Sequence, residues 1–435
     1  MKIGVVSLGC VKNRVDTEQM LSLLVGAGHA FTPDPQEAEV IIVNTCGFID
    51  PAKEESIQTI LEMAEYKNTG RCKKLIVTGC LAQRYGDALL SDMPEIDALL
   101  GVSQYDKIVE AVESAEAGER PDYRRRSREM LECGRVLTTP AYSAYVRIGE
   151  GCDNRCAYCA IPLIRGGYRS RNEQAILNEI DALVSGGAKE LILISQDTTR
   201  YGRDNGRSLE ALVKTVAEKP GVEWLRVLYM YPDETPLSLL EEMAKHGNVC
   251  KYLDLPLQHA SNKLLKAMNR RGTIEEAEAL LLRAREMGFT LRTTFIVGFP
   301  GETEEDFQEL LDFTRRMRFD RMGAFAYSAE EDTPGAKMPD QVPEEVKQER
   351  LDRLMAVQAE VSLALNGERV NTVCRVLVTG FEDGFYVGRS AMEAPDSDGL
   401  IYFTAERELD EGEFVNVRIV RADTYDLYGI MEGQV

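Results

Sequence analysis

The sequence predicts an α/β protein of three parts in series: an N-terminal domain on a parallel sheet (1–120), a partial (β/α)6 barrel (138–368), and a small antiparallel β-barrel (371–435). Three observations lead there. Short apolar runs alternate with amphipathic stretches from the start of the chain, the pattern of parallel strands joined by right-handed helical crossovers. Six more strand–helix units follow residue 138, without the length for eight, which implies a barrel open on one side. After residue 371 helical spacing gives way to period-two alternation broken by glycines.

Composition narrows the function. A chain of 435 residues exceeds one ordinary core, and 44% hydrophobic with 28% charged residues reads as soluble and globular. A net charge of −21 and a pI near 4.8 speak against general affinity for nucleic acid, because phosphate backbones select basic surfaces. A basic or neutral partner fits better. No run reaches the ~18 apolar residues of a membrane helix, and the apolar core of Met1–Gly9 is too short for a signal peptide. Ten cysteines in so long a chain are not a disulfide framework; their clustering points to metal ligation in a reducing compartment, hence the cytoplasm.

In the N-terminal domain, Lys2–Gly9 is an apolar strand closed by Cys10. Val15–Gly28 has helical spacing at Met20, Leu21, Leu23 and Leu24 and ends on a glycine suited to a C-cap. Val40–Thr45 is a buried strand. Pro51–Lys67 is a helix with proline in its first turn and Glu54 and Glu55 near the positive end of its dipole. Lys74–Gly79 is the third strand. Each strand ends in a cysteine: Cys10, Cys46 and Cys80. Carboxyl ends of an open parallel sheet share the edge where ligands bind, so these thiols converge. Gly9, Gly47 and Gly79 beside them let the backbone approach a bulky group. The alternative is three buried cysteines closing apolar strands, an ordinary place for a small hydrophobe; the recurrence favours ligands. Cys72, Cys133, Cys250 and Cys374 lack such a context and read as structural.

Gly118–Val136 is polar, with Arg124-Arg125-Arg126-Ser127-Arg128, and is read as a solvated linker; docking by its arginines is the other reading. Strands are expected at Tyr145–Gly149, Glu190–Gln196, Trp224–Met230, Tyr252–Leu257, Leu291–Gly298 and Met322–Ser328, with helices such as Glu173–Ser185, Ile274–Met287 and Glu304–Arg318 between them. Polar groups close three of the strands, at Ser195–Thr199, at Gln258-His259 and at Gly298–Glu302. They are candidates for ligand contact; Asp197 and Glu302 equally suit a capping role, and His259 reads as structural. Pro343–Leu365 is a long charged helix. The last region alternates at Thr372–Val378 and Phe414–Ile419 and holds five arginines against thirteen acidic residues. Such a surface repels RNA and attracts a basic protein, or serves solubility alone.

The loop after the strand-like run Ala144–Gly151 carries Cys152, Cys156 and Cys159 in a CxxxCxxC spacing. Loops of this size bring three thiolates to one metal centre, but a closed zinc site needs a fourth ligand, and no histidine lies between His29 and His246. A four-iron cluster on three cysteines leaves one iron without a protein ligand, a corner where a small molecule chelates. A zinc knuckle or three buried thiols is the alternative, weakened by the missing ligand.

This spacing, with Tyr158 before the last cysteine, is similar to the signature of the radical S-adenosylmethionine (SAM) enzymes. The resemblance implies a 4Fe-4S cluster whose open iron binds the amino and carboxylate groups of SAM, with Tyr158, Gln196 and Gln258 as SAM contacts. Across essentially the whole chain, a three-cysteine α/β domain, a radical SAM domain and a barrel resembling a TRAM domain look like the methylthiotransferases. The stretches Ser7–Asn13, Asn44–Ser56, Gln196–Gly202 and Leu255–Ser261 are closest to the RimO type, which modifies a ribosomal protein. Val11 stands where RimO-type chains often carry proline, which affects the turn and not the ligands. The resemblance implies two 4Fe-4S clusters, one on Cys152, Cys156 and Cys159 and one on Cys10, Cys46 and Cys80. It implies conversion of C–H to C–SCH3 on the β-carbon of an aspartate in the twelfth protein of the small ribosomal subunit. That carbon offers acid–base chemistry no handle, so one cluster generates a radical from SAM and the other delivers methylthio. Implied partners are that basic protein and an electron donor such as a flavodoxin or ferredoxin, with no membrane and no direct nucleic-acid binding. The rival readings are a transfer-RNA adenosine methylthiotransferase of the MiaB type, which shares every cysteine, and a non-enzymatic iron–sulfur electron carrier, which leaves the barrel scaffold unexplained.

Overall fold

The computed structural model describes Met1–Gly433, so residues 434 and 435 of the expected C-terminal barrel lie outside the described residues. Two compact units do not follow chain order. Met1–Pro140, Tyr145–Glu179 and Ser328–Ala336 form the first; Ala141–Ala144, Ile180–Tyr327 and the chain from Lys337 form the second.

The first unit is built on β1 (Lys2–Ser7), α1 (Val11–Gly26), β2 (Ala30–Phe31), β3 (Val40–Thr45), α2 (Asp50–Ala64), α3 (Tyr66–Thr69), β4 (Lys74–Gly79), α4 (Cys80–Asp92), β5 (Ala98–Leu100), α5 (Ile108–Glu116) and β6 (Asp122–Tyr123). The strands form one parallel sheet in the order β2-β1-β3-β4-β5-β6. Val40–Thr45 is buried at every position because helices cover both faces, the usual setting for a continuous apolar strand. Ile41, Val43, Leu75 and Val77 pack with Ile60 and Leu89 on one face; Ile3, Ile42 and Ile76 pack with Leu24 and Ile108 on the other.

Two expectations change here. The polar stretch Gly118–Val136 is not simply a solvated linker: Asp122–Tyr123 form the sheet's edge strand, Leu131 packs against the core, and Val136 N–H donates to the Glu18 carbonyl (3.1 Å). Arg124 is held between Asp87 (2.5 Å) and Asp122 (2.6 Å). A two-residue strand carries too little periodicity to be seen in sequence. Helix α1 also starts at Val11 rather than Val15, because its first turn buries polar residues that read as solvated.

The chain continues through β7 (Ser143–Arg147), β8 (Gly149–Glu150), α6 (Ile161–Arg165), β9 (Arg169–Ser170) and α7 (Glu173–Ser185). The second unit carries β10 (Glu190–Ile194), α8 (Leu209–Ala217), β11 (Trp224–Val227), α9 (Leu237–Lys245), β12 (Tyr252–Asp254), α10 (Asn262–Ala267), α11 (Ile274–Glu286), β13 (Thr290–Val297), α12 (Glu304–Met317), β14 (Arg321–Ala326) and α13 (Glu344–Glu368). Strands β7, β10 and β11 form one sheet and β12, β13 and β14 another, with Met230 N–H to Asp254 O (3.1 Å) between them. The six strands thus follow chain order as a partial (β/α)6 barrel. Capping boxes open α11 (Thr273, Glu276) and α12 (Thr303, Asp306).

Strands β15 (Val373–Glu382), β16 (Phe385–Ser390), β17 (Ile401–Thr404), β18 (Phe414–Ala422) and β19 (Leu427–Met431) close a barrel in the order β15-β16-β17-β19-β18. Its pairings are antiparallel except β17 with β19, which run parallel. Cys72 and Cys250 are buried, Cys133 and Cys374 half-buried, and no disulfide joins any cysteine among the described residues.

Within the second unit the barrel is fixed by buried ion pairs. Glu190 takes Arg389 of the barrel (2.6 Å), Arg226 (3.3 Å) and the Ser143 hydroxyl (3.0 Å). Burial pushes the Glu190 pKa up, but Arg389 and Arg226 outweigh it and hold it at about 2. Since the folded pKa lies below the ordinary 4.5, this carboxylate stabilises the fold above pH 4.5 and loses that contribution as pH falls toward 2. Glu190→Gln should therefore cost about 3 to 5 kcal/mol at pH 7, the scale for breaking a buried pair. Urea unfolding of variant and wild type should show the gap closing below pH 4.5; a gap independent of pH would contradict this assignment.

Candidate functional site

The carboxyl ends of β1, β3 and β4 meet at one edge of the first unit. Cys10 precedes α1, Cys46 follows β3 and Cys80 opens α4. Gly9 (φ +83°) and Gly79 (φ +100°) hold backbone conformations that a side chain would strain, and a Cβ on Gly9 would lie 2.8 Å from Cβ of Cys46. One amide ties the edge together. Asn13 Nδ2 donates to the carbonyls of Leu8 (3.1 Å) and Thr45 (2.9 Å), while Oδ1 accepts from the Cys80 thiol (3.5 Å) and from Arg165 Nη2 (2.6 Å). Asn44 Nδ2 returns bonds to Asn13 O (2.9 Å) and Thr17 Oγ1 (2.8 Å), and Ser56 Oγ bonds both N–H and C=O of Cys46. Cys46 and Cys80 are buried and Cys10 is exposed. Burial pushes the Cys80 thiol up to about 12 and raises Cys46 as well, while the positive charge of Arg165 opposes both shifts.

The second trio lies in the loop after β8. Cys152 N–H donates to Gly166 O (3.0 Å), Cys159 N–H to Cys156 O (3.0 Å), and Ile161 N–H to Cys159 Sγ (3.5 Å). Cys152 and Cys156 are buried; Tyr158 and Cys159 are half-exposed. The trios are neighbours: Ala160 and Ile164, just after Cys159, pack with Cys80 and Val102 in one apolar cluster. The strap Ser328–Ala336 grips both. Gly335 N–H donates to Ala157 O (2.7 Å), and buried Glu330 pairs with Lys53 (3.0 Å) and Arg84 (2.9 Å), whose Nη1 also bonds Gly47 O (3.2 Å).

Among the described residues no group of three or more His, Cys, Asp or Glu side chains is placed to hold a metal ion. Three soft thiols per group fit iron–sulfur clusters, whose cysteines surround a cage of several atoms.

Sequence reasoning missed the ion network behind the first trio. Arg165 Nη2 also bonds Asp16 (2.9 Å) and its Nη1 bonds Glu150 (3.0 Å). Arg147 pairs with the same Asp16 and Glu150, and with Gln19 (2.8 Å) and the Tyr105 hydroxyl (2.6 Å). Burial raises the Glu150 pKa, yet the two arginines hold it at about 2. The available signal was the spacing Asn13, Asp16, Gln19, one polar stripe on α1.

In the second unit Gln196 is half-buried just past β10. Gln258 is buried with a left-handed backbone (φ +76°), between Gln258 N–H to Thr294 O (2.8 Å) and Ile296 N–H to Gln258 O (2.7 Å). Asp197 accepts from Thr199 Oγ1 (2.5 Å) within its own turn. Glu302 accepts from Gly298 N–H (2.8 Å) and pairs with Arg350 (2.8 Å). His259 Nδ1 accepts from Ser261 N–H (2.9 Å).

Family models match in three places: the radical SAM superfamily over residues 146–314, the uncharacterized protein family UPF0004 over 2–101, and a TRAM domain over 370–431. The fold is similar to the radical S-adenosylmethionine methyltransferase TsrM of Kitasatospora setae, at a TM-score of 0.58 and 13% identity over 83% of this chain and 89% of that one. The ribosomal protein uS12 methylthiotransferase RimO of Desulforamulus reducens is 50% identical over 98% of both chains, and that of Clostridium tetani is 48% identical over 99% of this chain and 98% of the other. With half its residues shared along nearly the whole length, the chain belongs to the RimO family of radical SAM methylthiotransferases.

Proposed function

We propose that this chain converts C–H to C–SCH3 on the β-carbon of an aspartate in ribosomal protein uS12. The observation that supports it is the packing of Cys80 against the helix that follows Cys159, which makes the two thiol trios neighbours within one compact unit. Cys152, Cys156 and Cys159 are assigned to one 4Fe-4S cluster and Cys10, Cys46 and Cys80 to the other. When bound, the first supplies the electron that cleaves SAM to a hydrogen-abstracting radical, and the second supplies the sulfur that takes a methyl group from another SAM.

The chain's own groups prepare this chemistry. Burial of Cys46, Cys80, Cys152 and Cys156 keeps water from the sulfurs, and Arg165 offsets the negative charge that Cys10, Cys46 and Cys80 carry once deprotonated. Tyr158, Gln196 and Gln258 are assigned to SAM. The acidic barrel suits a basic ribosomal protein and disfavours the phosphate backbone of a transfer RNA. No helix among the described residues is long and apolar enough to cross a membrane; the reading places the reaction in the cytoplasm, with a flavodoxin or ferredoxin as reductant.

Anaerobically reconstituted protein should bind roughly eight irons, two four-iron clusters. Cys→Ala at 152, 156 and 159 should abolish reductive SAM cleavage, measured as 5′-deoxyadenosine. The same change at 10, 46 and 80 should leave that cleavage intact and stop sulfur insertion; methylthio product from this variant would refute the division of roles. Mass spectrometry of uS12 from cells with and without the gene should differ by one methylthio group, while transfer-RNA nucleosides stay the same. The opposite pattern would identify the substrate as RNA.

A further inference from the structure

We infer that Asn13 and Arg165 act as a positioning pair for the strand-end trio, Asn13 holding the three cysteines in register and Arg165 setting the reduction potential of the group they ligate. The inference rests on the proposed cluster-binding role of Cys10, Cys46 and Cys80.

Asn13 uses its full amide to bind the three strand ends. Its nitrogen reaches Leu8 O, two residues before Cys10, and Thr45 O, one residue before Cys46; its oxygen reaches Cys80 Sγ itself. An amide of Asn size offers two donors and an acceptor at once, so neither Ala nor Asp replaces it.

Arg165 is buried, and its fork serves Glu150, Asp16 and Asn13 together. A single atom, Asn13 Oδ1, separates its guanidinium from Cys80 Sγ. Asp16 and Glu150 are already matched by Arg147 and Arg165, so the buried quartet is neutral and does not need the trio for balance. A cluster on three thiolates adds negative charge beside this fixed cation. A buried cation favours the more negative, reduced state and raises the potential. The backbone gives Arg165 a second hold, since the next carbonyl, Gly166 O, accepts from Cys152 N–H. One short helix therefore joins the loop of one trio to the charge beside the other.

The test uses full-length chain with Cys152, Cys156 and Cys159 changed to Ala, so that only the strand-end group titrates, reconstituted with iron and sulfide. Redox titration followed by electron paramagnetic resonance should give a more negative midpoint for Arg165→Gln and a midpoint near the parent for Arg165→Lys. In the reciprocal background, with Cys10, Cys46 and Cys80 changed to Ala, Arg165→Gln should leave the loop group's midpoint in place. Asn13→Ala should lose most of the iron of the strand-end group while retaining that of the loop group. If Arg165→Gln unfolds, the double variant Asp16→Asn/Arg165→Gln keeps the buried network neutral and should still show a negative shift, a smaller one because loss of the Asp16 charge offsets part of the loss of the Arg165 cation. An unshifted midpoint in Arg165→Gln or the double variant, equal shifts of both groups, or full iron loading in Asn13→Ala would overturn the inference. If the parent background binds no iron on Cys10, Cys46 and Cys80, the underlying reading falls, and the inference with it.

Discussion

The close approach of three parallel strand ends is the constraint on which the site depends. Backbone carbonyls crowd that edge, and without a donor between them they repel. The Asn13 amide supplies the donors, to Leu8 O and Thr45 O, and it does so only because α1 begins at Val11 and puts position 13 on the first turn above the edge. The same helix face carries Asp16 and Gln19 at three-residue spacing, which explains why a helix beside a sheet core is polar on a buried side. Gly9 and Gly79 complete the arrangement by adopting positive-φ conformations next to Cys10 and Cys80.

Burying four charges behind those strand ends carries a desolvation cost that apolar residues of similar size would avoid. What the network gives in return is connection. Asp16 belongs to α1, Arg147 to β7, Glu150 to β8 and Arg165 to α6, so four elements separated by as many as 149 positions share two carboxylates and two guanidiniums. The second unit repeats the device: Glu190 takes Arg226 and Arg389, and Glu393 takes Arg321 (2.7 Å) and Arg369 (2.5 Å). In each case a carboxylate between two arginines fastens a loop or barrel to a strand scaffold.

How much of this was legible in sequence follows from the range of each interaction. Strand bounds such as Val40–Thr45 and Lys74–Gly79 came out unchanged because local apolar runs define them, as did helix Glu173–Ser185. The recurrence of cysteine at three strand ends was also a local signal, one that parallel topology converts into proximity. What sequence concealed was non-local or too short. Asn13 and Arg165 are 152 positions apart, and the strap Ser328–Ala336 belongs to a unit most of whose residues precede 180. Edge strands of two or three residues at Ala30–Phe31, Ala98–Leu100 and Asp122–Tyr123 lack any readable period. The start of α1 was misread because buried polar residues look like solvated ones until their partners are known.

The charge of the C-terminal barrel shows how contacts sharpen a compositional argument. A raw count sets five arginines against thirteen acids. Arg389, however, is buried on Glu190, Arg375 lies over Phe414 (3.9 Å) and pairs with Glu223 (2.7 Å), and Arg421 lies over Tyr428 (3.7 Å). Among the acids Glu393 pairs with Arg321 and Arg369 and Asp398 with Arg292 and the Tyr252 hydroxyl, both with buried side chains, whereas Glu382, Asp383, Glu406, Glu408, Asp410 and Glu411 are exposed. Leaving out the buried side chains of Arg389, Glu393 and Asp398, four arginines stand against eleven acids, so the surface offered to a partner keeps a strong negative excess. At physiological salt such a field acts within roughly 8 Å, far enough to attract a basic protein segment before contact and to hold an RNA backbone off.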